Sequence, residues 1–266
     1  MSQQYLETAT LLGLEASHVI LELLKLPITK NKKKDQSWVT EADLKADDII
    51  RNGLHQAFPD HAILTEEHGL IGSPQSEWIW LVDPLDGTKA YAQNKPGFSV
   101  MIGLLKEGSP YLGVVIDPLE GLIYQAMKGC GAVLIEGETK KTLTVSKRSK
   151  FSDMPLVFST GFHPEQLVKI THELQGPVLD PINSVGIKVG LVVRQLADIY
   201  VNHHFVHYWD TCAPQIILEE AGGKFTRMDG EPLIYSMDGK FSHDSPTLAS
   251  NGTRHEVLVH CLKKIF

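Results

Sequence analysis

"WLVDPLDGTKAY", residues 80–91, carries an apolar run into a turn that holds two aspartates three residues apart. Trp80, Leu81 and Val82 suit a buried strand. Pro84 then removes an N–H and fixes φ, so ladder pairing is expected to end directly after Asp83. Gly87 can take a positive φ, which lets the backbone come close to a bound group. The N–H groups of Gly87 and Thr88 would then face the same space as the carboxylates of Asp83 and Asp86. Such a place suits a metal-bridged phosphate. An Asp-Gly turn closed by a local hydrogen bond uses the same residues, and within this stretch both readings stand.

Further short runs of β-branched or apolar residues flank it: AILTEE (62–67), WIWLVD (78–83), SVMIGLL (99–105), LGVVID (112–117) and GLIYQAM (121–127). Gly, Pro and Asp separate them, and connections this short favour hairpins and a largely antiparallel sheet. Two amphipathic helices precede them. In residues 3 to about 25, Ala9, Leu12, Ala16, Val19, Ile20, Leu23 and Leu24 recur at helical spacing, and Pro27 closes the helix. The second, VTEADLKADDIIRNGLHQAF (39–58), has Thr40 as its cap and Asp43 three residues on, close to a capping box; Pro59 ends it. Ala42, Ala46, Ile49, Ile50, Leu54 and Ala57 share the apolar face. Asp43 and Asp47 fall on another, with Asp43 expected exposed in the first turn.

Polarity rises over 137–155 (GETKKTLTVSKRSKFSDMP), and a domain boundary is expected there. Residues 1–145 read as an α+β domain with an antiparallel sheet. Residues 146–266 read as an α/β domain. It runs through a strand (PLVFST, 155–160), a helix (HPEQLVKITHEL, 163–174) and the stretch SVGIKVGLVVRQLADIYV (184–201). A further helix, DTCAPQIILEEAGG (210–223), is expected to start at Asp210 or Thr211 and stop at Gly222-Gly223. A C-terminal helix over 255–264 finishes the chain.

Composition narrows the function classes. The 266 residues carry a net charge of −7, which argues against phosphate-backbone binding to nucleic acid, because that needs an extended positive surface. Lys30 and Lys32 to Lys34 read as a solvated loop rather than an anion-steering arm. Cys130, Cys212 and Cys261 are scattered, without a CxxC pair, and a reducing cytoplasm is the expected compartment. No leader-like N-terminus and no membrane-spanning run are evident. The twelve histidines form neither HxH nor HExxH, so His203, His204 and His207 are not expected to bind zinc.

Acidic residues stand at four element ends: Asp43, Glu66-Glu67, Asp83 with Asp86, and Asp210. Taken singly, each is an ordinary cap. Taken together, hard oxygen donors without a His or Cys chelate suit Mg²⁺, with Mn²⁺ as a substitute. Their order resembles the inositol monophosphatase superfamily, the lithium-sensitive, magnesium-dependent phosphatases. That family's signatures WxxDPxDGT and WDxxAxxxxxxxAGG match WLVDPLDGT (80–88) and WDTCAPQIILEEAGG (209–223). The resemblance implies a layered αβαβα sandwich of the α+β class and metal-assisted hydrolysis of phosphate monoesters with two to three ions. It implies Glu66, Asp83 and the Leu85 carbonyl at the first ion, and Asp83, Asp86 and Asp210 at the second. Glu67 and Asp43 would border a third. Asp43 and Thr88 would orient and activate the attacking water, and Gly87 and Thr88 would hold the phosphate. Cys212, inside the second signature, reads as small packing rather than a nucleophile.

Substrate is less legible. Lys89 after DPLDGT, and the stretch 184–200, resemble the 3′(2′),5′-bisphosphate nucleotidase branch. Lys188, Leu191, Val192, Ala197, Asp198 and Tyr200 are shared, with Ser184 where that branch has glycine. Lys188 is a candidate for a second phosphate, along with Ser184 and His203 on the substrate side. Inositol-specific members place a glutamate just before the WD pair, whereas VNHHFVHY (201–208) has no carboxylate. Adenosine 3′,5′-bisphosphate is therefore the favoured substrate and inositol 1-phosphate the runner-up, with other sugar phosphates behind them. A non-catalytic metal or phosphate sensor would lack a ligand, and none is missing. Homodimers are usual among such relatives, though no interface can be read.

Overall fold

The computed structural model describes residues 2–28, 30–32 and 38–265. The chain opens with α1 (Ser2–Leu24), then the paired strands β1 (Lys30–Lys32) and β2 (Trp38–Thr40), and α2 (Glu41–Ala57). Next come β3 (Ala62–Thr65), β4 (Gly69–Ile71), β5 (Trp78–Asp86) and the single-turn α3 (Thr88–Tyr91). They are followed by β6 (Ser99–Lys106), β7 (Ser109–Asp117), β8 (Leu122–Met127), β9 (Ala132–Glu136) and β10 (Thr139–Leu143). The second half holds β11 (Leu156–Phe158), α4 (Pro164–Leu174), α5 (Val185–Val193), β12 (Ile199–Asn202) and α6 (Tyr208–Glu220). It ends with β13 (Lys224–Arg227), β14 (Thr247–Ser250) and α7 (His255–Leu262).

These elements stack in five layers, the αβαβα sandwich that the signatures imply. Tyr5, Ala9, Leu12, Ala16 and Ile20 of α1 and Ala42, Ala46, Ile50 and Leu54 of α2 are buried at helical spacing. They close one face of an eight-stranded sheet of order β10-β9-β8-β7-β6-β5-β3-β4, antiparallel except for the parallel pair β3·β5. α5 and α6 fill the space between that sheet and a four-stranded one of order β11-β12-β14-β13. α4 and α7 cover the outer face of the small sheet. Apolar burial on both sides of each sheet therefore sets the stacking.

α6 sits unusually close to the large sheet. A Cβ built on Gly113 of β7 would lie 2.5 Å from the Ala213 carbonyl oxygen, so only glycine admits the helix there. Cys212, beside it, is fully buried. Burial pushes its thiol well above the usual range, as suits a packing residue.

Four expectations change. The β5 ladder does not end at Asp83: pairing with β6 skips two residues and resumes at Asp86 opposite Ser99, a bulge around Pro84 that keeps both aspartates at the C-terminal end of β5. Asp43 is buried rather than exposed, and Asp47 is buried with it, because β5 and the turn after β3 cover that side of α2. α6 begins at Tyr208, which puts Asp210 at its third residue instead of its cap. The polar stretch after residue 137 includes the edge strand β10, whose Thr139 to Thr142 are exposed. The expected boundary at 145/146 lies between β10 and β11, and one apolar cluster runs across it, including Leu143, Val157, Tyr200 and Ala213. Of the lysine run, Lys30 and Lys32 lie in β1, while Lys33 and Lys34 are outside the described residues.

Candidate active site

Asp43 enters from the first turn of α2, held by the capping geometry of Thr40. Its Oδ2 accepts from the Thr40 N–H at 2.8 Å and from the Thr40 hydroxyl at 2.5 Å. Its Oδ1 accepts from the Thr88 hydroxyl at 2.9 Å, which ties α2 to the turn after β5 across the sheet edge. Thr88 Oγ1 also lies 3.1 Å from the Leu85 carbonyl. Burial raises the Asp43 carboxyl to about 6, although the Thr40 and Thr88 bonds oppose the rise.

The β5 bulge fixes the two aspartates. The Leu85 N–H donates to Asp83 Oδ1 at 3.0 Å. Asp86 Oδ2 accepts from the Ser184 hydroxyl at 2.7 Å and from the Gly186 N–H at 3.1 Å, both at the N-terminus of α5. Gly87 has φ of +90°, and a Cβ there would lie 2.5 Å from the Gly97 carbonyl oxygen. The close approach expected of Gly87 is thus to Gly97, whichever group binds nearby. Lys89, one turn on in α3, is exposed.

From α6 comes Asp210, whose Oδ2 accepts from the His207 N–H at 2.7 Å. Glu66 follows β3, its N–H donating to the Val82 carbonyl at 3.1 Å, and Glu67 is the next residue of that turn. Asp47, buried on α2, braces the turn from behind. His68 Nδ1 lies 2.6 Å and Arg51 Nε 3.1 Å from its Oδ2, and Arg51 also pairs with Asp48. Asp47, Asp48 and His68 place ligand-type atoms within 4.8 Å of one another. Arg51 already supplies a cation to both aspartates of that group.

Electrostatics separates the main cluster from that one. Burial, and then the charges of Glu66, Asp86 and Asp210, hold the Asp83 carboxyl well above the usual carboxylate range. Asp210 is raised in the same way, by burial and then by Asp86 and Glu66. Asp86 is raised by burial while Lys188 opposes the rise. Carboxylates forced this close each disfavour the other's ionisation. These oxygens, with the Leu85 carbonyl, could hold hard divalent cations.

Of the residues expected on the substrate side, Thr88 and Ser184 bond the cluster directly, while the others stand apart from it. Lys188 is fully buried, and its ammonium donates to the Ile182 and Asn183 carbonyls at 2.8 and 2.7 Å. It faces Asp86 and Asp210 from inside the protein, and burial lowers it to about 7. The amine is committed to the backbone and closed off from solvent. Ser184 is equally buried. His203 packs on Phe162, ring centroids 4.4 Å apart, at the end of β12. His204, exposed beside it, feels the charges of Lys188 and Lys89. His207 stacks on Trp209 at 4.6 Å and 10°.

Thr40, Gly97 and Ser99 were not evident from sequence. Thr40 reads in sequence as a cap alone, and Gly97 and Ser99 reach the site only through the register of β6 against the β5 bulge. No short motif encodes that register.

Fold and sequence likeness together define a class, the phosphoric monoester hydrolases built on a layered α+β scaffold. The profile of the Inositol monophosphatase family matches residues 1–264, and the chain belongs to that family. It is similar to the inositol-1-monophosphatase of Synechocystis sp., 33% identical over 98% of this chain and 89% of that protein. It is also similar to the 3′(2′),5′-bisphosphate nucleotidase CysQ of Buchnera aphidicola, 31% identical over 87% of each. The solved inositol monophosphatase of Anabaena (Nostoc) sp. superposes with a TM-score of 0.79, at 31% identity over 98% of this chain and 96% of that one.

Proposed function

We propose that the chain is a Mg²⁺-dependent phosphomonoesterase that removes the 3′-phosphate of adenosine 3′,5′-bisphosphate. One observation carries the chemistry: mutually repelling buried carboxylates stand beside a threonine hydroxyl hydrogen-bonded to another carboxylate. The donor set fits two to three Mg²⁺ ions, or Mn²⁺ in their place. Glu66, Asp83 and the Leu85 carbonyl would hold the first, Asp83, Asp86 and Asp210 the second, with Glu67 and Asp43 bordering a third. Bound cations would neutralise the phosphate, lower the pKa of a water and stabilise the leaving oxygen.

The protein's own groups handle the proton. The Thr88 hydroxyl, donating to Asp43, keeps a lone pair to accept a hydrogen bond from the attacking water. As water attacks phosphorus and the bond from phosphorus to the 3′ oxygen breaks, one water proton passes to Thr88 while the Thr88 proton passes to Asp43, and the departing 3′ oxygen takes a proton from solvent. Asp43, already bonded to the Thr88 hydroxyl, is placed to take that proton. The N–H groups of Gly87 and Thr88 would hold the phosphate oxygens.

Lys89, the 184–200 stretch and the absence of a carboxylate over 201–208 favour the nucleotide. Likeness to the Synechocystis inositol-1-monophosphatase favours inositol 1-phosphate as the second reading. Comparing kcat/KM for adenosine 3′,5′-bisphosphate, inositol 1-phosphate and fructose 1,6-bisphosphate on one preparation tests the choice. The nucleotide is expected to lead, and a lead for inositol 1-phosphate would overturn the assignment.

A further inference from the structure

Asp86 is held by an unusually complete set of donors. Ser184 carries one hydroxyl proton, and toward an ionised carboxylate that proton must be donated. Ser184 Oγ therefore accepts from its other two neighbours, the Ile187 N–H at 3.0 Å and the Ser99 hydroxyl at 2.8 Å. The direction of the chain is thus fixed: Ser99 to Ser184 to Asp86. Ser99 and Ser184 are both fully buried, so no water replaces either bond.

The backbone around the chain is pinned as well. Ser99 is the residue paired opposite Asp86 across the β5 bulge. The Ser184 N–H donates to the Gly97 carbonyl at 3.2 Å. The buried Lys188 ammonium ties down the carbonyls of Ile182 and Asn183, the two residues before Ser184. The Gly186 N–H converges on the same Asp86 oxygen, Oδ2. Asp86 Oδ1 takes neither of those bonds.

We infer that Ser99 and Ser184 are positioning residues, which lock the rotation of the Asp86 carboxylate so that it is preset to bind a divalent cation. The inference rests on the proposed metal-dependent reading. It gives Ser184 a role through Asp86 rather than through substrate. Partners that orient a ligating group in this way typically contribute 10- to 100-fold to metal affinity.

The test is a Mn²⁺ binding isotherm read by electron paramagnetic resonance, with the melting temperature of the metal-free protein measured alongside. Wild type, Ser184→Ala and Ser99→Ala are compared with Ser250→Ala. Ser250 is also buried, but bonds His255 in the outer layers. Affinity for one Mn²⁺ is expected to fall by about 10-fold or more in Ser184→Ala. It should fall in the same direction but less in Ser99→Ala, and not at all in Ser250→Ala. A merely structural role would lower melting temperature and leave the isotherm unchanged. Ser184→Ala also removes a helix cap, so if it fails to fold, Ser99→Ala decides alone. Wild-type isotherms in the folded variants would overturn the inference and leave the metal reading intact. Absence of Mn²⁺ binding by wild type would overturn both.

Discussion

The two sides of the site are built differently. On one side, Asp43, Asp83, Asp86 and Thr88 are buried or half-buried; Asp43, Asp86 and Thr88 have fixed partners from another element, and Asp83 has the Leu85 N–H of its own strand. On the other, Asn202 holds the His204 backbone and Val206 and His207 are tied back at the far end, while His204 and Phe205 between them are exposed. A buried carboxylate without partners is costly, so the first side tolerates little change. An exposed imidazole costs the fold almost nothing to replace. Relatives of nearly equal identity carry the names of an inositol-1-monophosphatase and a bisphosphate nucleotidase.

The largest effects should fall on the first side. Thr88→Ala and Asp43→Asn are expected to lower kcat by about 10²- to 10⁴-fold, the range for loss of proton transfer, and to lower the melting temperature as the buried Asp43 bonds are lost. A loss below tenfold would break the comparison. Gly87→Ala should cost on the order of 2 kcal/mol in urea unfolding, because its Cβ has no room against Gly97 and φ is positive. Unchanged stability would show that this turn is looser than its geometry.

A group remote from both sides sharpens the contrast. His255 is buried between Thr226 and Ser250, at 2.9 and 2.8 Å, and burial lowers it to about 4. Between that value and the ordinary 6.5 the unfolded chain binds a proton that the folded chain refuses. Its stabilisation is therefore present above pH 6.5 and is lost as pH falls toward 4. His255→Gln should flatten this dependence by up to about 1.4 kcal/mol per pH unit without changing the substrate preference. An equal slope in both proteins would remove His255 from the account. The smallest effect is expected at His204→Ala, a shift below about tenfold in the kcat/KM ratio between nucleotide and inositol phosphate. No shift would take the second side out of recognition.

The two sides were also unequally legible in sequence. DPLDGT and the Thr40–Asp43 cap announce themselves because local backbone chemistry dictates them, as do the buried helix faces of α1 and α2. The burial of Asp43, the bulge that returns Asp86 to the ladder and the Ser99–Ser184 contact all depend on which strand lies opposite which. Lys188 shows the limit most plainly. A lysine at that position reads as a phosphate contact, yet the fold closes over it and turns its ammonium onto backbone carbonyls. Edge strand β10, rich in lysine and threonine, lacks the apolar alternation that marks a half-buried strand.

The central claim is that Asp83 stands at the junction of a metal site that hydrolyses phosphate monoesters. Phosphate release from adenosine 3′,5′-bisphosphate and inositol 1-phosphate, measured for wild type and Asp83→Asn with Mg²⁺ and after chelation, tests it most directly. Release is expected only from wild type with Mg²⁺, with Asp83→Asn folded but at least about 100-fold slower. Equal release after chelation, or an active Asp83→Asn protein, would contradict the claim.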